Sequence, residues 1–243
     1  MSTKLDSGKL PHREAKPIRV AVCVPSGDMV HADFAMALAA MAYMCGPVVI
    51  NGQKQEAIDL ILINVKDSLV VMGRNTLVDQ AQKQGVDYLL FLDSDMVFDK
   101  RTLRQLLSRG MDIVGGTYVK RRPPNTLLGH ATDGRLLEEA ISGQQVGGER
   151  LYEAGALPGG CLLIRMSVFD KLKKPYFQTP AHETDGHVWI EGEDIFFCRT
   201  AREAGFKVWV DWPTSFALAH IGQEAFRIPS VEIKPEAANA IVH

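Results

Sequence analysis

The chain has 243 residues, 46% hydrophobic and 23% charged, enough to bury one large core and no different in composition from an ordinary globular protein. A formal net charge of -2 gives no overall pull toward nucleic acid or an anionic membrane surface. No apolar run approaches the roughly 18 residues that a bilayer span requires. The four cysteines, Cys23, Cys45, Cys161 and Cys198, are scattered in apolar contexts without metal spacing. They read as reduced core residues of a cytoplasmic protein.

Residues 1–17 are polar and aperiodic, which predicts a disordered tail rather than a signal peptide. Ile18 to Val24 reads as a buried first strand, ending in the turn Pro25-Ser26-Gly27-Asp28. The next stretch, about Met29 to Met44, is helical and apolar nearly all round, so a buried helix is expected. Neither a P-loop nor a dinucleotide fingerprint comes after the first strand. Val48–Ile50 and Ile58–Val65 read as strands on either side of Asn51-Gly52. A helix from about Val71 to Gln84 stops at Gly85, a residue free to take a left-handed cap.

Tyr88-Leu89-Leu90-Phe91-Leu92 is five apolar residues in a row, the pattern of a strand buried on both faces. It delivers Asp93-Ser94-Asp95 at its C-terminal end, where open α/β sheets bind ligands. An Asp-x-Asp there can hold a divalent metal against nucleotide phosphates; the plain alternative is a capped turn. A short helix from Asp99 to Arg109 and a strand over Met111–Gly116 complete a half in which strands and helices alternate. That order predicts an α/β fold with a mostly parallel sheet and flanking helices.

From Thr117 to Pro158 the chain is rich in Gly, Pro, Arg and Gln, with strand-like pieces only at Leu136–Ile141 and Val146–Glu153. Lys120-Arg121-Arg122 opens this stretch, either as a solvated loop or as a contact to phosphate, an acidic group or a polyol. Gly159-Gly160 leads a strand to Arg165, and Ser167 can cap a helix to Leu172. A polar loop with His182, Glu183, Asp185 and His187 precedes Glu191, Glu193 and Asp194 at a helix start. One or two acids there would complement the helix dipole; three in four residues suggest a general base. A strand over Phe206–Val210 and the segment Phe216–His220 end the core, and 222–243 reads as a flexible tail.

The other candidate site residues face the same edge of the sheet. Pro25 and Ser26 end the first strand, Arg74 sits near a helix start, and His220 can join an Asp-x-Asp as a ligand. A carboxylate, an imidazole and diphosphate oxygens form a mixed set suited to manganese, with magnesium the alternative.

Taken together the pattern resembles the glycosyltransferases of the GT-A fold, especially the family-2-like group. The resemblance runs from about Val20 to His220 and is carried by four motifs: Phe91–Asp95, Gly159–Arg165, Gly192–Arg199 through Val208, and Ala219-His220. It implies a Rossmann-like sheet, with a nucleotide-binding half over 18–116 and a small mixed acceptor-side half over 117–221. By the same resemblance Asp95 and His220 would bind Mn2+ or Mg2+, and Asp93 the ribose or a metal-bound water. Pro25, Ser26, Arg74 and Ser94 would sit on the nucleotide side, with Gly160 close to a sugar. Glu193 and Asp194 would lie near the acceptor, Asp194 as base in an inverting enzyme, with Glu191 beside them. The implied reaction moves a sugar from a nucleotide-diphosphate donor, UDP-linked by preference, to a hydroxyl of a glycan, lipid-linked sugar, protein or modified nucleic acid. No Gln-x-x-Arg-Trp motif of processive synthases occurs. Two other readings remain: a haloacid-dehalogenase-type phosphohydrolase with Asp93 as nucleophile, and a non-catalytic sugar-nucleotide-binding module.

Overall fold

The computed structural model describes residues 16–50, 53–121, 124–142, 151–222 and 225–227. Residues 1–15 of the expected N-terminal tail, the Asn51-Gly52 turn, Arg122, Val146 to Arg150 and nearly all of the C-terminal tail lie outside the described residues.

In chain order the first half runs β1 (Ile18–Ser26), α1 (Ala32–Tyr43), β2 (Val48–Ile50), β3 (Gln53–Gln55), β4 (Ile58–Lys66), α2 (Val70–Gln84), β5 (Tyr88–Leu92), β6 (Met96–Val97), α3 (Thr102–Ser108) and β7 (Ile113–Gly115). The second half adds β8 (His130–Ala131), α4 (Leu137–Ala140), β9 (Leu151–Ala156), β10 (Cys161–Arg165), a 3-10 turn over Met166–Lys171, β11 (Ala181–Thr184), β12 (His187–Ile190), α5 (Glu193–Glu203), β13 (Val208–Asp211), α6 (Trp212–Ala217), β14 (Ala219–Ile221) and β15 (Ala225–Phe226).

Eight of the strands form one sheet in the order β4-β1-β5-β10-β7-β13-β9-β8. Over the first half the pairing is parallel, β4 with β1 and β1 with β5. Beyond β5 it is mixed, because β10 runs antiparallel to both β5 and β7, while β13 pairs parallel with β7 and antiparallel with β9. The chain is thus an α/β protein with a large mixed sheet and flanking helices, compatible with a Rossmann-like architecture.

The unbroken apolar run of β5 has a direct cause. Alternate side chains of a strand point to opposite faces, and here both faces are covered. Leu89 and Phe91 join a layer with Leu77, Val78 and Phe197, whereas Leu90 and Leu92 join one with Phe34, Met41 and Leu103. Each fully buried Leu or Phe contributes about 1.5–3 kcal/mol over an exposed one. β5 is therefore a rigid rod that fixes the position of the Asp-Ser-Asp turn at its end.

Four local expectations change. Helix α1 is not buried: Phe34 and Met41 face the core, but Met36 and Tyr43 are 71% and 83% exposed. Its apolar residues border a groove of about 360 Å³ with Val24 and Leu62. The piece around Leu136–Ile141 is the helical turn α4 rather than a strand. The polar stretch after Pro180 is a hairpin, β11-β12, closed by Asp185 and Gly186 at φ 51° and 76°. Such left-handed pairs suit the twist of a two-residue hairpin. Helix α6, started by Pro213 and capped by Asp211 accepting the Thr214 N–H, stands before β14 where only an apolar segment was expected. All four cysteines are buried and free. No helix among the described residues is long and apolar enough to cross a membrane.

Candidate functional site

The Asp-Ser-Asp turn is pinned from three sides. Asp93 N–H donates to the Gly160 carbonyl at 3.1 Å, and Met96 N–H donates back to the Asp93 carbonyl at 3.1 Å. Ser94 offers its carbonyl to His31 N–H at the start of α1, 3.2 Å away. Asp95 offers its own to Ile221 N–H at 2.8 Å. The last bond belongs to a small ribbon in which β14 pairs with β6, setting His220 opposite Met96. Backbone geometry therefore brings His220 to Asp95 from far along the chain: the imidazole Nε2 lies 3.6 Å from Asp95 Oδ2.

Beside this turn sits a buried ion cluster. Arg74, projecting from α2, is 2% exposed. Its Nη2 donates to both Asp93 oxygens at 3.0 and 3.1 Å, its Nε to Glu193 at 3.1 Å, and its Nη1 to the Gly159 carbonyl at 3.3 Å. The guanidinium also stacks 5.0 Å from the Phe91 ring centroid. Burial alone would lower its pKa, but the charges of Asp93 and Glu193 outweigh that and raise it, so Arg74 is a fixed cation. Burial raises the Asp93 carboxyl, with Arg74 opposing. The sequence resemblance put Arg74 on the nucleotide; the structure commits it to Asp93 and Glu193.

The double glycine is explained by the same packing. A Cβ on Gly159 would stand 2.6 Å from Arg74 Nη2. One on Gly160 would run into the Tyr118 hydroxyl, which accepts the Gly160 N–H at 3.0 Å, and would come 3.2 Å from Asp93 Oδ2. Only glycine lets β10 start this close to Arg74 and Asp93. Tyr118 itself is buried and packs edge-on against His220 at 4.9 Å. No sequence signal marks it, because a single tyrosine after Gly115-Gly116-Thr117 carries no motif.

The acidic triplet before α5 is split by the fold. Glu193 is held by Arg74. Glu191 is buried, 4% exposed, and points elsewhere: Arg199 grips it with Nε at 2.9 Å and Nη2 at 3.0 Å, and His182 Nε2 lies 3.2 Å away. Hydrogen bonding from Arg199, against burial and with help from His182, holds its carboxyl below the usual range. It ties the hairpin to α5 rather than joining the Asp93 cluster. Asp194 is different: its carboxylate accepts N–H groups from Ile195 and Gly159, and it pairs with no cation among the described residues. Burial first, then the Glu193 charge, push it up to about 6 despite Arg74. That is the range of a general base working near neutrality.

Pro25 and Ser26 end β1 beside β5, on the same edge. Ser26 Oγ accepts an N–H from the Asn64 amide at 2.8 Å, and Pro25 lies against α2, where a Cβ on Gly73 would meet it at 3.8 Å.

The donor set available to a metal is Asp95 and His220. No group of three or more His, Cys, Asp or Glu side chains converges among the described residues, and Asp93 has both oxygens on Arg74. The pair still fits a cation in one respect. His220 Nδ1 lies 3.2 Å from the Val119 carbonyl, which can only accept, so Nδ1 carries a proton and Nε2 is the nitrogen turned toward the Asp95 carboxylate. A metal ion between Nε2 and Oδ2 would take one ligand from each. Although burial opposes its charge, hydrogen bonding and charge from His220, together with Arg121, hold the Asp95 carboxyl below its ordinary range. Two protein ligands of this type suit a cation whose remaining positions come from phosphate oxygens, not a closed protein cage.

No known protein-family profile matches the chain, and no curated protein matches it in sequence. Among solved structures, the crystal structure of A197 from STIV is similar to it in fold, with a TM-score of 0.55 and 17% identity over 90% of this chain and 100% of that one. At that identity the likeness is one of fold: both chains carry the α/β arrangement over nearly their whole length.

Proposed function

We propose that this chain is a GT-A-type glycosyltransferase, moving a sugar from a nucleotide-diphosphate donor to an acceptor hydroxyl. One observation carries the reading: Asp95 with His220, and Asp194 with its raised pKa, are gathered around the C-terminal end of β5 by Arg74 and Gly159-Gly160. The ordered resemblance of the sequence motifs supports the same conclusion.

In the proposed reaction the acceptor oxygen bonds to the anomeric carbon while the bond from that carbon to the diphosphate oxygen breaks. The electron pair leaves with the diphosphate, and the acceptor's proton passes to Asp194. A divalent cation on Asp95 and His220, when bound, supplies Lewis-acid stabilisation of the leaving diphosphate. Arg74 holds Asp93 against the donor side and Glu193 beside Asp194, fixing both ends of the site to one guanidinium. The charge on Glu193 also raises Asp194, so this neighbour tunes the base without acting as one. Gly159 and Gly160 leave room for a sugar to approach backbone.

The phosphohydrolase reading needs Asp93 as a free nucleophile. Both Asp93 oxygens accept from Arg74, and β1, α1, β4 and α2 precede a strand that normally opens that fold.

The test is a panel of sugar nucleotides, UDP-linked first, assayed with Mn2+ for the parent chain and for Asp95→Ala. Donor-dependent turnover abolished by the substitution is expected. No donor binding by the parent, or undiminished turnover in the variant, removes the proposal.

A further inference from the structure

The basic run that opens the middle region has no part in the reaction above, yet Arg121 reaches into the site. Its Nη1 lies 2.7 Å from Asp95 Oδ2, the oxygen that also faces His220. The two contacts come from one loop. Tyr118 anchors it through the Gly160 N–H, and the Val119 carbonyl lies 3.2 Å from His220 Nδ1. The Lys120 N–H donates to the Thr126 carbonyl at 2.9 Å, and Leu128 N–H to the Tyr118 carbonyl at 2.9 Å. Beyond this ladder Arg121 reaches Asp95 from an exposed position, with its side chain 49% exposed against 2% for Arg74. The fold thus provides two arginines of opposite character: Arg74 is immobilised on Asp93, and Arg121 rests on Asp95 by one exposed contact.

A guanidinium and a divalent cation on the same carboxylate oxygen repel each other, because both need its electron density and both are positive. We propose that Arg121 is a diphosphate-binding residue which Asp95 holds while the site is empty and gives up when a divalent cation binds. Released, the guanidinium lies where the anionic diphosphate arrives, and its planar donors match phosphate oxygens. The same side chain then opposes cation binding in the free protein and favours nucleotide binding in the loaded one. This rests on reading Asp95 and His220 as a metal–nucleotide site.

The experiment is calorimetric titration of Mn2+ into the nucleotide-free parent and into Arg121→Met, followed by UDP titration into the Mn2+-loaded proteins. Arg121 sits half-exposed on a loop, and equal Tm values for the two proteins confirm an intact fold. Arg121→Met is expected to bind Mn2+ more tightly, on the order of fivefold, the worth of one exposed competing ion pair. Once loaded, it is expected to bind UDP more weakly, on the order of tenfold, from loss of a charge-assisted contact. A residue that merely supports the loop would weaken both. Unchanged or weaker Mn2+ binding overturns the exchange, and unchanged UDP binding overturns the phosphate role, with the metal site left standing in either case. If neither protein binds Mn2+, the metal–nucleotide reading falls and takes this inference with it.

Discussion

Arg74 and Asp93 face each other across the end of β5, with one guanidinium nitrogen 3.0 and 3.1 Å from the two carboxylate oxygens. Glu193 closes the group at 3.1 Å from Arg74 Nε. Three elements far apart in sequence, α2, the β5 turn and the start of α5, are thereby joined by one buried cation. Removing a partner from such a cluster leaves charge buried without compensation, which costs more than the cluster contributes over an apolar substitute.

Arg74→Met should therefore lower stability by about 3–5 kcal/mol at neutral pH, measured by urea unfolding. The deficit should narrow as the pH falls and Asp93, whose carboxyl burial already raises, takes up a proton. Asp93→Asn, which keeps a hydrogen-bond acceptor for Arg74, should cost less. A fully stable Arg74→Met at pH 7 would contradict the cluster.

Gly159→Ala tests the same geometry from the backbone side. Its Cβ would lie 2.6 Å from Nη2 and 2.7 Å from Cζ of a guanidinium held by three partners. Neither Arg74 nor β10 can yield freely, so a loss of about 1–3 kcal/mol in thermal or urea unfolding is expected. In Arg74→Met the crowding changes character, so the two substitutions should be non-additive. Additive losses would mean that the glycine serves something other than room for Arg74.

Much of this was legible in the residues, and the remainder was hidden for identifiable reasons. The β5 strand stood out because burial on both faces leaves no polar alternation, and that position made its Asp-Ser-Asp and the glycine pair stand out too. The helix α1 misled because nearly continuous apolarity reads as full burial, whereas the fold leaves Met36 and Tyr43 open. Asp185-Gly186 was a visible turn signal, but the polar residues around it drew the reading toward a loop. What sequence spacing cannot carry is partner choice over long separations. Nothing local says that Arg74 pairs with a glutamate 119 residues away, or that Glu191 turns to Arg199 while Asp194 pairs with no cation among the described residues.

Glu191 should accordingly behave as a structural acid. Its folded pKa is depressed, so its ionised form favours the native state. That contribution is present above its ordinary value near 4.5 and is lost as the pH falls through the lower folded value. Glu191→Gln should lose about 1–2 kcal/mol at pH 7, a loss limited by solvent at Arg199, which is 43% exposed and keeps Glu203. The pH dependence of turnover should keep its parent shape; loss of the acidic limb in this variant would instead make Glu191 the base.

Asp194 should show the opposite linkage. Its folded pKa of about 6 lies above the ordinary 3.8, so the native state holds this proton more tightly than the unfolded chain does. The carboxyl therefore favours folding most at acid pH and opposes it increasingly as the pH rises from 3.8 through 6. Asp194→Asn removes that opposition and should raise stability above pH 7 by roughly 1–2 kcal/mol, the shift being discounted because the side chain is only partly buried. Turnover demands the reverse, since a base acts when deprotonated. The parent rate should climb through pH 6 to a plateau, with log kcat rising at unit slope below it, and Asp194→Asn should abolish turnover while still binding donor. A variant that is more stable, binds donor and cannot turn over would identify the base. One that keeps the parent's pH profile would place the base elsewhere.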